Sequence, residues 1–186
     1  MRVVSLGSGS SGNALFVEAG PQGRTKLLVD AGLTGRVLID RLRKLHVSPS
    51  ELQGVLLTHE HSDRTIGIST LTKRYGIPVI ADPQTYDAVK ESSRSGMWRT
   101  DSGNLTMNAP SSIEAEAFAL PNEGAILVLP VGSQGSVGDI EITSFPISHD
   151  AIAPCGYLLK AGGCRVCIVT DSGEVTPAML DVMQHA

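Results

Sequence analysis

Apolar residues along this chain fall in short runs separated by polar, glycine-rich breaks. Residues 2–6, 13–18 and 25–30 read as three strands, with the turn Gly20-Pro21-Gln22-Gly23 between the second and third. Thr34 caps a predicted helix running to about Leu45, with Val37, Leu38, Leu42 and Leu45 on one stripe. Residues 55–57 read as a buried strand that ends in a polar cluster over 58–64. A helix over 65–75 follows, stopped by Gly76 and Pro78, then a strand over 79–81 and a helix over 84–91 entered through Pro83. The polar stretch 92–112 reads as a long loop. Beyond it the pattern is strand-rich, with strands at 125–131, 140–145, 156–160 and 166–170 and a hairpin turn at Gly162-Gly163. A last helix is predicted over 176–185, with Pro177 in its first turn. Strands alternating with helices make the class α/β.

Length and composition narrow this further. At 186 residues, 41% hydrophobic and 18% charged, the chain is expected to fold as one domain around a packed core. No apolar run approaches the length needed to span a bilayer, and the first residues lack the stretch of a secretory signal. Three cysteines, an odd number, exclude a disulfide framework. The expected setting is cytoplasmic, with no membrane partner. The net charge of −4 hides an asymmetry. Residues 1–100 hold 13 Lys/Arg against 9 Asp/Glu, whereas 101–186 hold 2 against 10. Such a basic half either forms solvated surface or faces an anionic substrate.

One motif misleads. Gly7-Ser8-Gly9-Ser10-Ser11-Gly12 matches G-x-G-x-x-G, with Asp30 downstream. A dinucleotide site needs a helix directly after that loop. Here 13–18 favours a strand, so the segment reads as a tight turn between antiparallel strands. The informative segment is Thr58-His59-Glu60-His61-Ser62-Asp63-Arg64. Its metal-capable side chains stand at i, i+2 and i+4, which extended backbone sends to one side. Two imidazoles and a carboxylate suit zinc or a similar divalent ion. His149 follows the strand at 140–145, and Asp171 ends the strand at 166–170. Each is a metal-capable residue just past a strand end, where α/β folds assemble their sites. Cys164 and Cys167 form a C-x-x-C, but on a strand an offset of three puts them on opposite faces.

Taken in order, these stretches resemble the metallo-β-lactamase-fold hydrolases, and most of all the small WalJ/YycJ-type group among them. The matching residues are 7–13, 27–32, 57–63, 73–79, 147–150 and 169–173. The resemblance implies an αββα sandwich with a metal site at one sheet edge. It implies that His59, His61 and His149 bind a first metal, that Asp63 binds a second, and that Asp171 bridges them. It also implies phosphodiester cleavage, including nuclease activity on DNA. The expected partner is an anionic ester, nucleic acid included. The ion is expected to be zinc, with manganese or iron as alternatives. It would supply a hydroxide at neutral pH, with Asp63 orienting the nucleophile or accepting its proton.

Two departures from the family pattern stand out. The family motif is H-x-H-x-D-H, and here Arg64 takes the place of the last His. A guanidinium cannot ligate a cation. Arg64 is expected either to hold an anionic substrate group or to pair with a nearby carboxylate. Relatives also continue into further strands and a last metal-binding His. The chain is therefore expected to be a single domain over 1–186, incomplete at its C-terminal side, and His185 matches no motif. The expected outcome is a strong first site and a weak or empty second one. The competing readings are a lactonase, thioesterase or β-lactam hydrolase on the same site, and a non-catalytic metal-binding or incomplete domain. An uncovered sheet edge would invite a homodimer.

Overall fold

A computed structural model describes residues 1–10, 12–95, 98–99, 105–106, 126–184 and 186. Twelve strands are present among them: β1 (Arg2–Gly7), β2 (Ala14–Ala19), β3 (Thr25–Val29), β4 (Gly54–Leu56), β5 (Val79–Ala81), β6 (Trp98–Arg99), β7 (Leu105–Thr106), β8 (Ile126–Val128), β9 (Gln134–Val137), β10 (Ile140–Pro146), β11 (Cys155–Ala161) and β12 (Cys164–Ile168). The helices are α1 (Gly35–Lys44), α2 (Ser62–Thr65), α3 (Ile68–Tyr75), α4 (Pro83–Ser95) and α5 (Pro177–Gln184).

The near-continuous apolar runs of β2 to β5 have a simple cause: their sheet is buried on both faces. Phe16, Leu28, Val55 and Val79 point to one side, where Leu38 and Leu42 of α1, Ile68 and Leu71 of α3 and Val89 of α4 cover them. Val17, Leu27, Leu56 and Ile80 point to the other side and meet a second sheet through Ile140, Ile142, Tyr157 and Leu159. The first sheet runs β1-β2-β3-β4-β5-β8, antiparallel from β1 to β3 and parallel from β3 to β8. The second, β12-β11-β10-β9, is antiparallel throughout. Its outer face carries Phe145 and Leu158 against Met179 of α5. The layers are therefore helix, sheet, sheet, helix, the expected αββα sandwich.

Several boundaries differ from the sequence pattern. The helix expected over 65–75 begins only at Ile68; the turn of α2 lies before it, and between them stands Gly67, where a side chain would collide with Leu38 and the Leu33 carbonyl. β9 has no counterpart in the apolar pattern because Gln134–Val137 is an exposed edge strand without an apolar face. The loop expected over 92–112 begins later, since α4 continues to Ser95, and the paired strands β6 and β7 interrupt it. The rest of that stretch lies outside the described residues, as does His185. Gly162 and Gly163 form the expected hairpin turn, both at positive φ (55° and 79°), the two-residue geometry that suits a right-handed twist. Cys164 is exposed and Cys167 half-buried, as opposite faces of a strand require. Among the described residues no helix is long and apolar enough to cross a membrane.

Candidate metal centre

The site forms where the strands of both sheets run out. β4 hands its ladder on to the next residues: Leu57 N–H donates to the Ile80 carbonyl at 3.0 Å. The chain bends at Thr58 as it leaves the sheet and is extended at His61, and the His59 and His61 side chains, both fully buried, converge. His149 comes from the loop between β10 and β11. That loop is held to the β4 exit by Glu60, whose carboxylate accepts from Ile152 N–H at 3.2 Å. The three imidazole rings meet edge to face with centroids 4.6 to 4.9 Å apart, and one ring nitrogen of each lies within 4.8 Å of the others. His149 Nε2 stands 3.2 Å from His61 Nδ1.

A buried relay sets the orientation of His59. Thr58 Oγ1 lies 3.0 Å from His59 Nδ1 and 2.9 Å from Asp30 Oδ2, and Thr58 N–H donates to Asp30 Oδ1 at 2.9 Å. With the Thr58 hydroxyl proton given to the Asp30 carboxylate, Oγ1 accepts from His59 Nδ1–H. The Nε2 lone pair is then left to face the other two rings, which is the tautomer a metal ligand needs. His59 Nε2 is buried and has no hydrogen-bond partner among the described residues. Burial, reinforced by His61 and His149, pulls the His59 pKa down to about 2, so its ring is neutral at any ordinary pH.

Beside the imidazoles a guanidinium sits in a knot of carboxylates. Arg64 lies on the single turn of α2 and is 2% exposed. Its Nη1 donates to Asp63 Oδ2 at 2.5 Å, its Nη2 to Asp171 Oδ2, and its Nε lies 3.5 Å from Asp30 Oδ2. Burial works against the guanidinium charge, but Asp30, Asp171 and Asp63 outweigh it and raise the pKa above the ordinary value. Asp30 behaves differently: burial pushes it up to about 7 against the opposing pull of Arg64 and Thr58. Asn13 Nδ2 adds a second donor to Asp63 Oδ2 at 3.1 Å. Asp171 reaches the knot from the β12 exit, in a loop tied to the His149 loop by Gly173 N–H donating to the Ser148 carbonyl at 2.7 Å. Asp30 and Asp171 both adopt left-handed backbone, with φ of 60° and 55°. This conformation is uncommon away from glycine and tends to cluster at functional sites.

The donor set fits a divalent cation. Three imidazoles converge, that of His59 neutral, and among the described residues its buried Nε2 has no hydrogen-bond partner. His59, His61 and His149, the residues that the family resemblance gives to a first metal, lie together. Asp63 is not carried there by extended alternation; it projects from the first turn of α2. Asp63 and Asp171 flank Arg64, with Asp171 Oδ2 3.9 Å from His59 Nε2. Of the two orientations open to Arg64, the structure has the inward one, on carboxylates and away from solvent. Asp30, Thr58, Asn13 and Glu60 carry positioning contacts that the spacing of metal-capable residues does not reveal. A hydroxyl residue directly before His59, and a carboxylate at the neighbouring strand end, were the available signals.

Comparison with known proteins agrees with this architecture. A β-lactamase superfamily domain matches residues 25–186. Among curated proteins, the chain is 32% identical over 181 residues to exodeoxyribonuclease WalJ of Streptococcus pneumoniae, and equally to exodeoxyribonuclease YycJ of Bacillus anthracis. Each match covers 97% of this chain and 58% of the relative, so the chain spans little more than half of their length. Among solved structures, a B3 metallo-β-lactamase with an active-site glutamic acid superposes with a TM-score of 0.64 at 17% identity, over 98% of this chain and 67% of that one. A metallo-β-lactamase of Cronobacter sakazakii with a HARLDQ motif gives 0.65 at 13% identity, over 94% and 61%. With a matching domain over most of its length and the αββα sandwich to go with it, the chain belongs to the β-lactamase superfamily and has the metallo-β-lactamase fold.

Proposed function

We propose that this chain carries the hydrolytic centre of a DNA-cleaving phosphodiesterase, built on one divalent ion. The observation that supports it is the convergence of His59, His61 and His149 beside a buried guanidinium. Zinc is the ion that three imidazoles suit best, with manganese or iron as substitutes. Such an ion supplies Lewis acidity: it lowers the pKa of water from about 16 to about 7 and polarises a phosphoryl oxygen. The protein's own groups do the rest. Asp30 and Thr58 hold His59 in the ligating tautomer. Glu60 and the Ser148–Gly173 link fix the loops that bring His149 and Asp171 to the centre. Asp63, kept in place by Arg64 and Asn13, orients the attacking water.

Arg64 is assigned the second positive charge of the site. Its guanidinium lies between Asp63 and Asp171, the carboxylates that family resemblance gives to a second ion. A fixed cation there takes the place of a second ion as the partner of those carboxylates. Residues 1–186 then act as one domain, since the two sheets share an interior. The free cysteines at 155, 164 and 167 suit a reducing compartment such as the cytoplasm. The similarity to two exodeoxyribonucleases supports DNA as the polymer.

Metal analysis and hydrolysis of end-labelled DNA test this reading. The purified chain is expected to hold one ion and to release nucleotides only when it is bound. His59→Ala and His149→Ala are each expected to lose the ion and the activity together. Near-normal turnover in both variants would overturn the assignment. Cleavage of nitrocefin or a lactone in preference to DNA would move the substrate to another ester class.

A further inference from the structure

A second feature, on the helix-covered face of the first sheet, is unused by the metal centre. α1 and α3 pack side by side, and a groove of about 910 Å³ opens between their exposed faces. Arg36, Arg41, Arg43 and Lys44 from α1 line it with Arg74 and Tyr75 from α3, and Asp40 is its one carboxylate. All five cations are exposed. Lys44 pairs with Asp40 at 3.0 Å, and that carboxyl is held below its ordinary pKa by Lys44 first, then by Arg43 and Arg36. One acid cannot balance five bases, so the groove keeps a net positive charge. Three of the bases stand in the last turn of α1, where the helix dipole favours them. That explains Arg41, Arg43 and Lys44 as helix stabilisers. It explains neither Arg36 in the first turn nor Arg74 on the other helix.

The groove is also joined to the metal centre. Arg41 Nη1 donates to the Leu6 carbonyl, next to Gly7. From Gly7 the chain turns through Gly12 to Asn13, whose side chain binds Asp63. Gly12 has φ of 137°, and a side chain there would strike the Gly32 carbonyl, so the backbone packs closely at that point. At the far end, the Arg74 guanidinium carbon stands 5.5 Å from the centroid of the half-buried Tyr75 ring. A cationic trough with one aromatic beside an arginine is the arrangement that holds single strands: charges track the phosphates and planar groups take a base. A bilayer would instead need a flat or convex face with exposed apolar side chains. Here Ile39 is buried and Val37 and Tyr75 are half-buried.

We propose that the α1–α3 groove binds the phosphate backbone of a single DNA strand and leads its end to the metal centre. The proposal rests on the hydrolytic reading above for its direction, though not for the binding itself. Fluorescence anisotropy with a labelled oligothymidylate of about 20 nucleotides, in chelator, measures binding apart from hydrolysis. The combined Arg36→Glu, Arg43→Glu and Arg74→Glu variant is expected to bind at least tenfold more weakly at about 50 mM salt. Its slope of log K against log salt should shrink by about 2, at about 0.7 per lost phosphate contact. The combined Gln variant should shift in the same direction, and hydrolysis of bis(p-nitrophenyl) phosphate should be unchanged in both. Wild-type affinity and slope in the Glu and Gln variants would overturn the proposal. So would groove-dependent binding to phosphatidylserine vesicles tighter than to the oligonucleotide. If binding depends on the groove while DNA is never cut, the groove stands and the hydrolytic reading falls.

Discussion

Replacing Arg64 with methionine removes one charge and keeps most of the volume. Three carboxylates then lose their common partner, and one of them, Asp30, is 2% exposed. Removing one side of a buried ion pair typically destabilises a protein by about 3 to 5 kcal/mol, because the remaining charge stays buried. The losses do not simply add. Asp30 already stands near pH 7, so it neutralises readily, and Asp171 is 30% exposed and keeps some water. The expected loss is therefore about 3 kcal/mol at pH 7, from a total stability of about 5 to 15. It also depends on pH. Without Arg64 the folded-state pKa of Asp30 rises further above its unfolded value, so the folded variant binds more protons. Stability then falls with rising pH relative to wild type, and the gap is wider at about pH 8 than at about pH 5.5. Urea unfolding of both proteins in chelator, followed by circular dichroism, measures this. A variant within about 1 kcal/mol of wild type at both pH values would refute the view of Arg64 as the charge that holds these carboxylates together.

Arg64→His restores the residue the family motif carries at this position, and the variant is expected to bind two ions per chain where the parent binds one. Elemental analysis after dialysis decides it, and two tightly held ions in the parent would refute the role given to Arg64. His59 and Asp30 impose opposite pH slopes on the metal-free protein. His59 falls from 6.5 to about 2 on folding, so the unfolded state binds its proton more readily and stability drops as pH falls below about 6.5, by up to about 1.4 kcal/mol per unit. Asp30 rises from 3.8 to about 7, so the folded state binds its proton and stability grows as pH falls through about 7 by a similar amount. Urea titrations of Asp30→Asn and His59→Gln should therefore tilt in opposite directions, and parallel pH profiles would refute the pairing. Tyr157→Phe removes the hydroxyl that donates to the Leu57 carbonyl at 2.5 Å and ties the second sheet to the β4 exit. It should lower the urea-unfolding stability by about 1 to 2 kcal/mol, and no loss would show that the bond contributes nothing net.

Much of the architecture was legible because the forces behind it are local or repeat along the chain. Val55 and Leu56 face opposite cores, and so do Val79 and Ile80, which is why those segments read as unbroken apolar runs. His59 and His61 were legible for the same reason: a spacing of two on extended backbone allows only one side. Their partner His149 was visible only as a metal-capable residue past a strand end, since nothing nearby shows that Glu60 holds its loop. β9 was invisible because an exposed edge strand of Gln, Gly and Ser has no buried face to betray it.

Arg64 marks where sequence reasoning runs out. Its residue type excluded metal ligation, but its direction depends on where two other segments end. Asp30 comes from the β3 exit, Asp63 from the same turn of α2, and Asp171 from the β12 exit. Only the folded sheets bring these together, so no local pattern records that the guanidinium turns inward. The consequence is electrostatic. A divalent ion on this side would bring two charges that chelation can take away; the guanidinium brings one that cannot leave and does not titrate at working pH. The carboxylates keep a partner whether or not the imidazoles hold metal. Stripping the ion should therefore remove activity while leaving the Asp30–Arg64–Asp171 knot, and most of the stability it confers, in place.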